Sequence, residues 1–179
     1  MKILAVKSNK IGSKIIRWGT EEPASHIVIE FPLSHVSYHS YIVGIEARWT
    51  AELKKEYATV GEISLTLPYE VEKKCLQIFR ESIPKTPRYD YPAIIYFGWR
   101  ALLNKTFKIP YPKLNDWQED EGFLCTEIIY LLANALAVEA GIMILPDDHD
   151  LAITRPWEVI NLIAERLKKC GASYSFTVF

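Results

Sequence analysis

The sequence predicts an α+β fold in a single domain that spans residues 1–179. Three observations lead to this prediction. The length of 179 residues suits one domain, and such a chain buries roughly 70% of the surface that its unfolded form exposes. Hydrophobic residues make up 49% of the chain, which is close to the globular norm and excludes extensive disorder. Strand-like and helical segments both occur, and they follow no internal repeat.

The first part of the chain contains most of the predicted strands. Met1–Lys7 is a short apolar strand, and Ile11–Trp18 has the apolar spacing of a short helix. His26–Phe31 is rich in β-branched residues and is typical of a buried strand. Tyr38–Trp49 is a second strand, and its proximity in sequence predicts an antiparallel pair with the first. Glu62–Leu67 alternates between apolar and polar residues as a further strand does.

The rest of the chain is mainly helical. Tyr69–Ile83 is predicted as an amphipathic helix, and Tyr91–Leu103 as an aromatic-rich helix. Cys125–Ala140 is apolar almost all round, which predicts a central, buried helix. Ile142–Leu145 is a candidate short strand, and Pro156–Cys170 has the spacing of a last amphipathic helix.

Charge and hydropathy exclude several classes of partner. The chain has 21 basic and 22 acidic residues, so no overall basic excess indicates a nucleic-acid partner. No stretch approaches the roughly 18 apolar residues of a membrane-spanning helix. The apolar run at the N-terminus is too short for a signal-peptide core. Because three cysteines are not a disulfide framework, we expect a reducing compartment and a cytoplasmic protein.

The three cysteines differ in their surroundings. Cys75 and Cys170 continue the apolar stripes of amphipathic helices, so both are expected to be small buried hydrophobes. Cys125 stands where a polar loop becomes a buried helix. Helix-start N–H groups can lower the pKa of a thiol from about 8.5 to between about 3.5 and 7.5. The same groups could stabilise an oxyanion, so Cys125 is the candidate nucleophile, although it could also merely pack there.

Acidic residues just before Cys125 oppose a strong fall of its pKa. A nearby negative charge disfavours a thiolate. The residues concerned are Asp116, Glu119, Asp120 and Glu121.

A cysteine nucleophile needs a base, and His26 is the candidate because it opens an otherwise apolar strand. His35 and His39 lie in or beside the connecting loop and are expected to be solvated. His149, in an acidic loop, is expected at the surface. Glu46, a charge within the apolar second strand, could orient the His26 imidazole, or it could lie on the exposed face of the sheet.

The same side chains could serve a metal instead. His26, His39 and Cys125 could in principle bind zinc, but no C-x-x-C or H-E-x-x-H spacing supports a zinc site. Glycine-rich phosphate loops and a G-x-S-x-G nucleophile elbow are also absent from the sequence. We therefore expect neither a metal nor another cofactor.

The order of these motifs resembles the circularly permuted branch of the NlpC-type papain-like cysteine hydrolases, which includes YiiX-like and lecithin–retinol acyltransferase-like proteins. SHIVI at 25–29 is similar to the family's histidine segment, and IEA at 45–47 to its acidic segment. LCTEII at 124–129 is similar to its nucleophile segment, and RYDY at 88–91 to its tyrosine segment. Weaker similarities flank these motifs, in GSKIIRWGT at 12–20 and ITRPWEVI at 153–160.

The resemblance implies a fold, a site and an activity. It implies a small antiparallel sheet or half-barrel packed on the central helix that carries Cys125. It implies a triad of Cys125, His26 and Glu46, with Tyr89 beside the nucleophile. It also implies hydrolysis of an amide or ester in a peptidoglycan stem peptide, another peptide or a lipid, and it suits a bacterial or phage-encoded protein. A catalytically silent binding module of the same fold, or an acyltransferase, are the alternatives. The sequence does not indicate the oligomeric state.

This chain departs from the family pattern at three positions. Thr126 replaces the usual serine, and Arg88 stands where a proline is usual. The segment Ile27–Ile29 lacks the family's glycine after the histidine. These departures leave the implied triad intact but bear on substrate choice.

Overall fold

The computed structural model describes residues 1–41, 44–84, 88–89, 91–110, 122–123, 125–146, 151 and 154–179. Residues 41, 88–89, 91–95, 97–98, 101 and 122–123 are described by their backbone alone. The site is built mainly from strands of the N-terminal sheet and from residues 125–127, which are among the described residues.

The described strands share an extended backbone and run in chain order: β1 (Lys2–Lys7), β2 (His26–Phe31), β3 (Val36–Tyr41), β4 (Gly44–Trp49), β5 (Ala58–Leu65), β6 (Arg88–Tyr89), β7 (Gly122–Phe123) and β8 (Tyr174–Val178). The described helices are α1 (Ile11–Thr20), α2 (Thr50–Glu56), α3 (Tyr69–Ser82), α4 (Tyr91–Phe107), α5 (Ile128–Ala140) and α6 (Pro156–Cys170). A 3₁₀ turn over Pro32–Ser34 joins β2 to β3.

Six of these strands form one antiparallel sheet in the order β4-β3-β2-β1-β5-β8. The strands β6 and β7 form a separate parallel pair. The α+β prediction is therefore confirmed, with a six-stranded antiparallel sheet as its centre. Because β2 lies inside the sheet, with neighbours on both sides, its backbone is fixed at the point where His26 begins the strand.

The sheet is covered on both faces, which is why every residue of β2 is buried. On one face Ile27 and Ile29 belong to the main core, together with buried residues of α3, α5 and α6. On the other face Val28 packs with Leu53 and Tyr57, at α2 and its C-terminal end. Alternate side chains of a strand point to opposite faces, so His26 lies on the same side as Val28, the α2 side.

The structure differs from the sequence prediction in the region of the second strand. The single strand predicted over Tyr38–Trp49 is a hairpin of β3 and β4. Gly44 begins β4 with a φ of 106°, a backbone conformation that residues other than glycine rarely adopt. Because the chain reverses there, β4 is separated from β2 by β3. This correction changes which side chain can reach His26.

Other differences concern element bounds. The candidate strand at Ile142–Leu145 has no strand structure, so that prediction was wrong. The helix predicted from Cys125 begins as α5 at Ile128, and Cys125 lies in the turn before it. The short helix α2 and the edge strand β8 were not predicted, because α2 has only 7 residues and most of β8 is exposed.

Candidate functional site

Cys125 lies in a turn that leads directly into α5. Within this turn the Ile129 N–H donates to the Thr126 carbonyl at 3.2 Å. The Thr126 hydroxyl anchors the turn by donating to the Leu151 carbonyl at 2.8 Å. Cys125 itself is 8% exposed, so the turn holds its thiol inside the protein.

The Cys125 sulfur lies near the start of β2, at the peptide bond between His26 and Ile27. The backbone N–H groups of Ile27, Cys125 and Thr126 lie close enough to the sulfur to favour its charged form, Ile27 most strongly. Because the Ile27 nitrogen is bonded directly to the carbonyl carbon of His26, the sulfur lies against the peptide bond that joins these two residues. The sequence therefore brings the nucleophile candidate and the base candidate to neighbouring positions in space.

Burial raises the pKa of the Cys125 thiol to about 12. The Ile27 N–H group opposes this rise, whereas the nearby Glu127 carboxylate adds to it. The expected lowering of the thiol pKa was therefore wrong in direction. The helix-start N–H groups act as expected, but loss of water around the sulfur outweighs them. In this state Cys125 is a neutral thiol at neutral pH.

His26 forms a buried pair with a second histidine. Its Nε2 is 3.0 Å from Nδ1 of His39, and the two rings meet edge to face. The ring of Tyr57 stacks on His26 with 5.7 Å between ring centroids. Burial, followed by the neighbouring His39, lowers the pKa of His26 to about 3. The imidazole is therefore neutral and fixed on two sides.

His39 was expected to be solvated, but its residue is 0% exposed. The strand β3 and the cover of α2 on that face remove it from water. Burial lowers the pKa of His39 to about 4, and the Arg48 charge contributes in the same direction while Glu56 opposes it. Arg48 Nη1 donates to Glu56 Oε2 at 2.7 Å, so these two charges partly compensate each other beside the ring.

Glu46 contacts His39 and is one strand removed from His26. It pairs in register with His39 across β3 and β4, and its Oε2 lies 3.7 Å from His39 Nε2. The prediction that Glu46 comes from the strand paired with His26 was wrong, because that strand is β3. The resulting series is His26, His39 and Glu46, one residue from each of three adjacent strands.

His39 is the site residue that sequence reasoning missed. A signal for it was present in Gly44, between two alternating segments. Had Gly44 been taken as the start of a new hairpin strand, an antiparallel register would have placed His39 opposite Glu46. A charged residue directly opposite a histidine in a strand pair is a recognisable cross-strand contact.

The Cys125 sulfur lies near the backbone at the start of β2, but within the described part of the chain it is not hydrogen-bonded to the His26 imidazole. The imidazole lies on the α2 side of the sheet with Tyr57, whereas the apolar residues of α5 pack in the core on the other side. The side chain of Tyr89 lies outside what the structure describes, so its predicted position beside the nucleophile stays a prediction.

Comparisons with known proteins give little beyond this geometry. No family model matches the chain, and no relative is found among curated proteins. Among solved structures, the chain is similar to the crystal structure of metalloprotein yiiX from Escherichia coli O157:H7. The TM-score is 0.46 with 14% sequence identity, covering 94% of this chain and 79% of that one. We take no residue role and no activity from this likeness.

Two other features, a group of metal ligands and a membrane-spanning helix, are not found among the described residues. They contain no group of three or more His, Cys, Asp or Glu side chains arranged to hold a metal ion. The helices in these same ranges include none that is long and apolar enough to cross a membrane.

Proposed function

We propose that this chain is a cysteine hydrolase that cleaves an amide or ester bond through an acyl-enzyme on Cys125. The observation that carries the proposal is the position of the buried thiol, at the start of an apolar helix and against the peptide bond between His26 and Ile27. A reactive thiol in such a site has a base next to it and N–H groups around the reacting carbonyl.

The histidine series gives His26 the tautomer that a base requires. In the tautomer of His39 that carries its proton on Nε2, which faces the Glu46 carboxylate at 3.7 Å, the unprotonated Nδ1 accepts a hydrogen bond from His26 Nε2. Nδ1 of His26 is then unprotonated and available for the Cys125 proton. His39 acts as the positioning residue, and Glu46 orients His39 in place of acting on His26 directly.

The proposed reaction starts from neutral groups. The Cys125 proton passes to His26 Nδ1 as the sulfur attacks the acyl carbon, and the carbonyl oxygen becomes an oxyanion near the Cys125 N–H. The leaving amine or alcohol takes the proton from His26 and departs. Water, deprotonated by His26, then attacks the thioester and releases the acid. Since thiol and imidazole are not bonded at rest, the first step requires movement of the His26 side chain or of the Cys125 turn.

The substrates that suit this chemistry are peptides, peptidoglycan stem peptides and acyl groups of lipids. The test is acylation followed by intact-mass analysis, with a panel of activated esters, thioesters and peptide amides. We expect one acyl group on Cys125, none in Cys125→Ala, and a slow rate in His26→Ala. Cys170→Ser is the matched control, because Cys170, which was wrongly expected to be buried, is the exposed free cysteine among the described residues. Equal acylation of the native chain and Cys125→Ala would contradict the proposal.

A second candidate function is a binding module of the same fold without turnover. The observations that favour it are the raised pKa of the Cys125 thiol and the absence of a hydrogen bond between this thiol and His26 in the described residues. On this interpretation Cys125→Ala would bind peptides or peptidoglycan fragments as tightly as the native chain, and no substrate in the panel would acylate either protein. Titration calorimetry with soluble peptidoglycan fragments separates the two functions.

A further inference from the structure

The apolar stripe of α1 faces solvent. Ile11, Ile15 and Trp18 follow one another at helical spacing, so they lie on one side of the helix. Their exposed fractions are 77%, 55% and 55%, whereas Gly19 is the buried residue of this fully described helix. A helix in a globular domain normally turns such a stripe toward the core, so this orientation points to a partner.

The neighbouring helix α4 extends the same surface. It packs against α1, and Lys105 joins the two by lying 4.2 Å from the centroid of the Trp18 ring. Large apolar side chains of α4 are also exposed, between 43% and 67%. We define the α1–α4 face as the exposed apolar residues of both helices, namely Ile11, Ile15, Trp18, Trp99, Leu102 and Phe107.

The charged residues within the two helical segments are all basic. The segments 11–20 and 91–110 contain five basic residues and no acidic residue, in a chain whose net charge is −1. The rest of the chain is therefore distinctly acidic. Glu21, directly after α1, is paired with Lys105 at 3.4 Å. The basic residues of the two segments are Lys14, Arg17, Arg100, Lys105 and Lys108.

We propose that the α1–α4 face docks the protein onto an anionic lipid bilayer. Exposed tryptophan and aliphatic side chains flanked by lysine and arginine are typical of helices that lie in the membrane interface. The cationic surroundings match the negative charge of such a bilayer. The bound protein lies on the bilayer with both helices in the interfacial plane.

The helix α1 separates the docked face from the candidate site, because Ser13 lies on the side of α1 opposite Ile11 and Trp18. On α1, the Ser13 hydroxyl is 2.6 Å from the Ser25 hydroxyl, and Ser25 directly precedes His26. Bilayer docking would thus place α1 between the lipid surface and the His26 end of β2, at a separation of about one helix diameter. The docking proposal does not depend on catalysis, because binding can be measured with Cys125→Ala as well as with the native chain.

The test is co-sedimentation of the full chain with vesicles of pure phosphatidylcholine and with vesicles that contain about one-third phosphatidylglycerol. We expect binding to the anionic vesicles that weakens with salt. Trp18→Ser should reduce the partition coefficient about tenfold through lost apolar burial. Removing one charge, as in Arg17→Gln, should reduce it about fivefold.

The matched controls lie outside the face. Trp49 is 59% exposed on β4, so Trp49→Ser removes an equally accessible tryptophan, and Lys169→Gln removes an exposed charge at the end of α6. Both controls should bind like the native chain. Circular dichroism verifies that each variant is folded. Absent binding to the anionic vesicles, or equal losses in Trp18→Ser and Trp49→Ser, would overturn the proposal. A native dimer that becomes monomeric in Trp18→Ser would also overturn it, in favour of a contact between copies.

Discussion

The buried pair of His26 and His39 makes stability strongly dependent on pH. Burial lowers the pKa of His26 to about 3 and that of His39 to about 4. In the unfolded chain both return to about 6.5. Between these limits the unfolded state binds more protons than the native state, so stability is complete above about pH 6.5 and is lost as the pH falls.

The magnitude of this effect is well defined at pH 5. There, each histidine is almost fully protonated in the unfolded chain and almost fully neutral in the native chain. Each one then lowers the free energy of unfolding by about 2 kcal/mol relative to pH 8, and the pair by about 4 kcal/mol. This loss depends on the unfolded pKa and hardly changes whether the native value is 3 or 4. Because the free energy of unfolding of a domain is about 5–15 kcal/mol, this loss is a large part of the total stability.

The assay is urea denaturation followed by tryptophan fluorescence at pH 8, 7, 6 and 5. We expect the free energy of unfolding to fall by about 4 kcal/mol in the native chain and by about 2 kcal/mol in His39→Gln over this range. The matched control is His35→Gln, because His35 is exposed and lies outside the buried pair. An equal pH dependence in the native chain and in a His26→Gln, His39→Gln double variant would refute the argument.

Three further predictions follow from the packing. Because burial raises the pKa of Cys125 to about 12, iodoacetamide should label it at pH 8 at least about 30-fold more slowly than a model thiol of pKa about 8.5, as measured by mass spectrometry in Cys170→Ser. Leu53→Ala should cost about 2–5 kcal/mol in chemical denaturation, since Leu53 is 1% exposed on the buried side of α2. Gly61→Ala should cost about 1–3 kcal/mol, because its Cβ would lie 2.6 Å from Cζ3 of Trp157. The matched Gly12→Ala meets nothing within 4 Å and should be neutral or slightly stabilising. Equal effects of the two glycine variants would contradict the packing argument.

Local sequence signals identified the regular elements well where one segment carries the whole signal. The β-branched run at His26–Phe31 and the amphipathic pattern at Pro156–Cys170 have the same bounds as β2 and α6. Burial of the site could not be predicted in this way. His39 is removed from water by strands and a helix distant from it in sequence, and α2 is too short to have a clear periodicity.

The pKa of Cys125 likewise could not be predicted from the local sequence. Position at a helix start is a local property, and it correctly predicted N–H groups near the sulfur. Desolvation depends on everything packed around the thiol, and it has the larger effect here. The sign of the pKa shift therefore followed from tertiary structure, against the expectation from sequence.

The resting state has consequences for how such a site could work. The thiol and the imidazole are both buried and neutral, so the resting site contains no thiolate–imidazolium ion pair that could react with water or with small electrophiles. Substrate binding must therefore activate the thiol. It must move the residues that bury Cys125, or reorient the His26 side chain, before the proton can be transferred. Docking of α1 on lipid offers a physical source for such a change, because the opposite side of α1 is hydrogen-bonded through Ser13 to Ser25, which precedes His26. We therefore expect anionic vesicles to accelerate alkylation of Cys125, and Trp18→Ser to abolish that acceleration while Trp49→Ser preserves it. An equal labelling rate with and without vesicles, in a protein that binds them, would separate docking from the site.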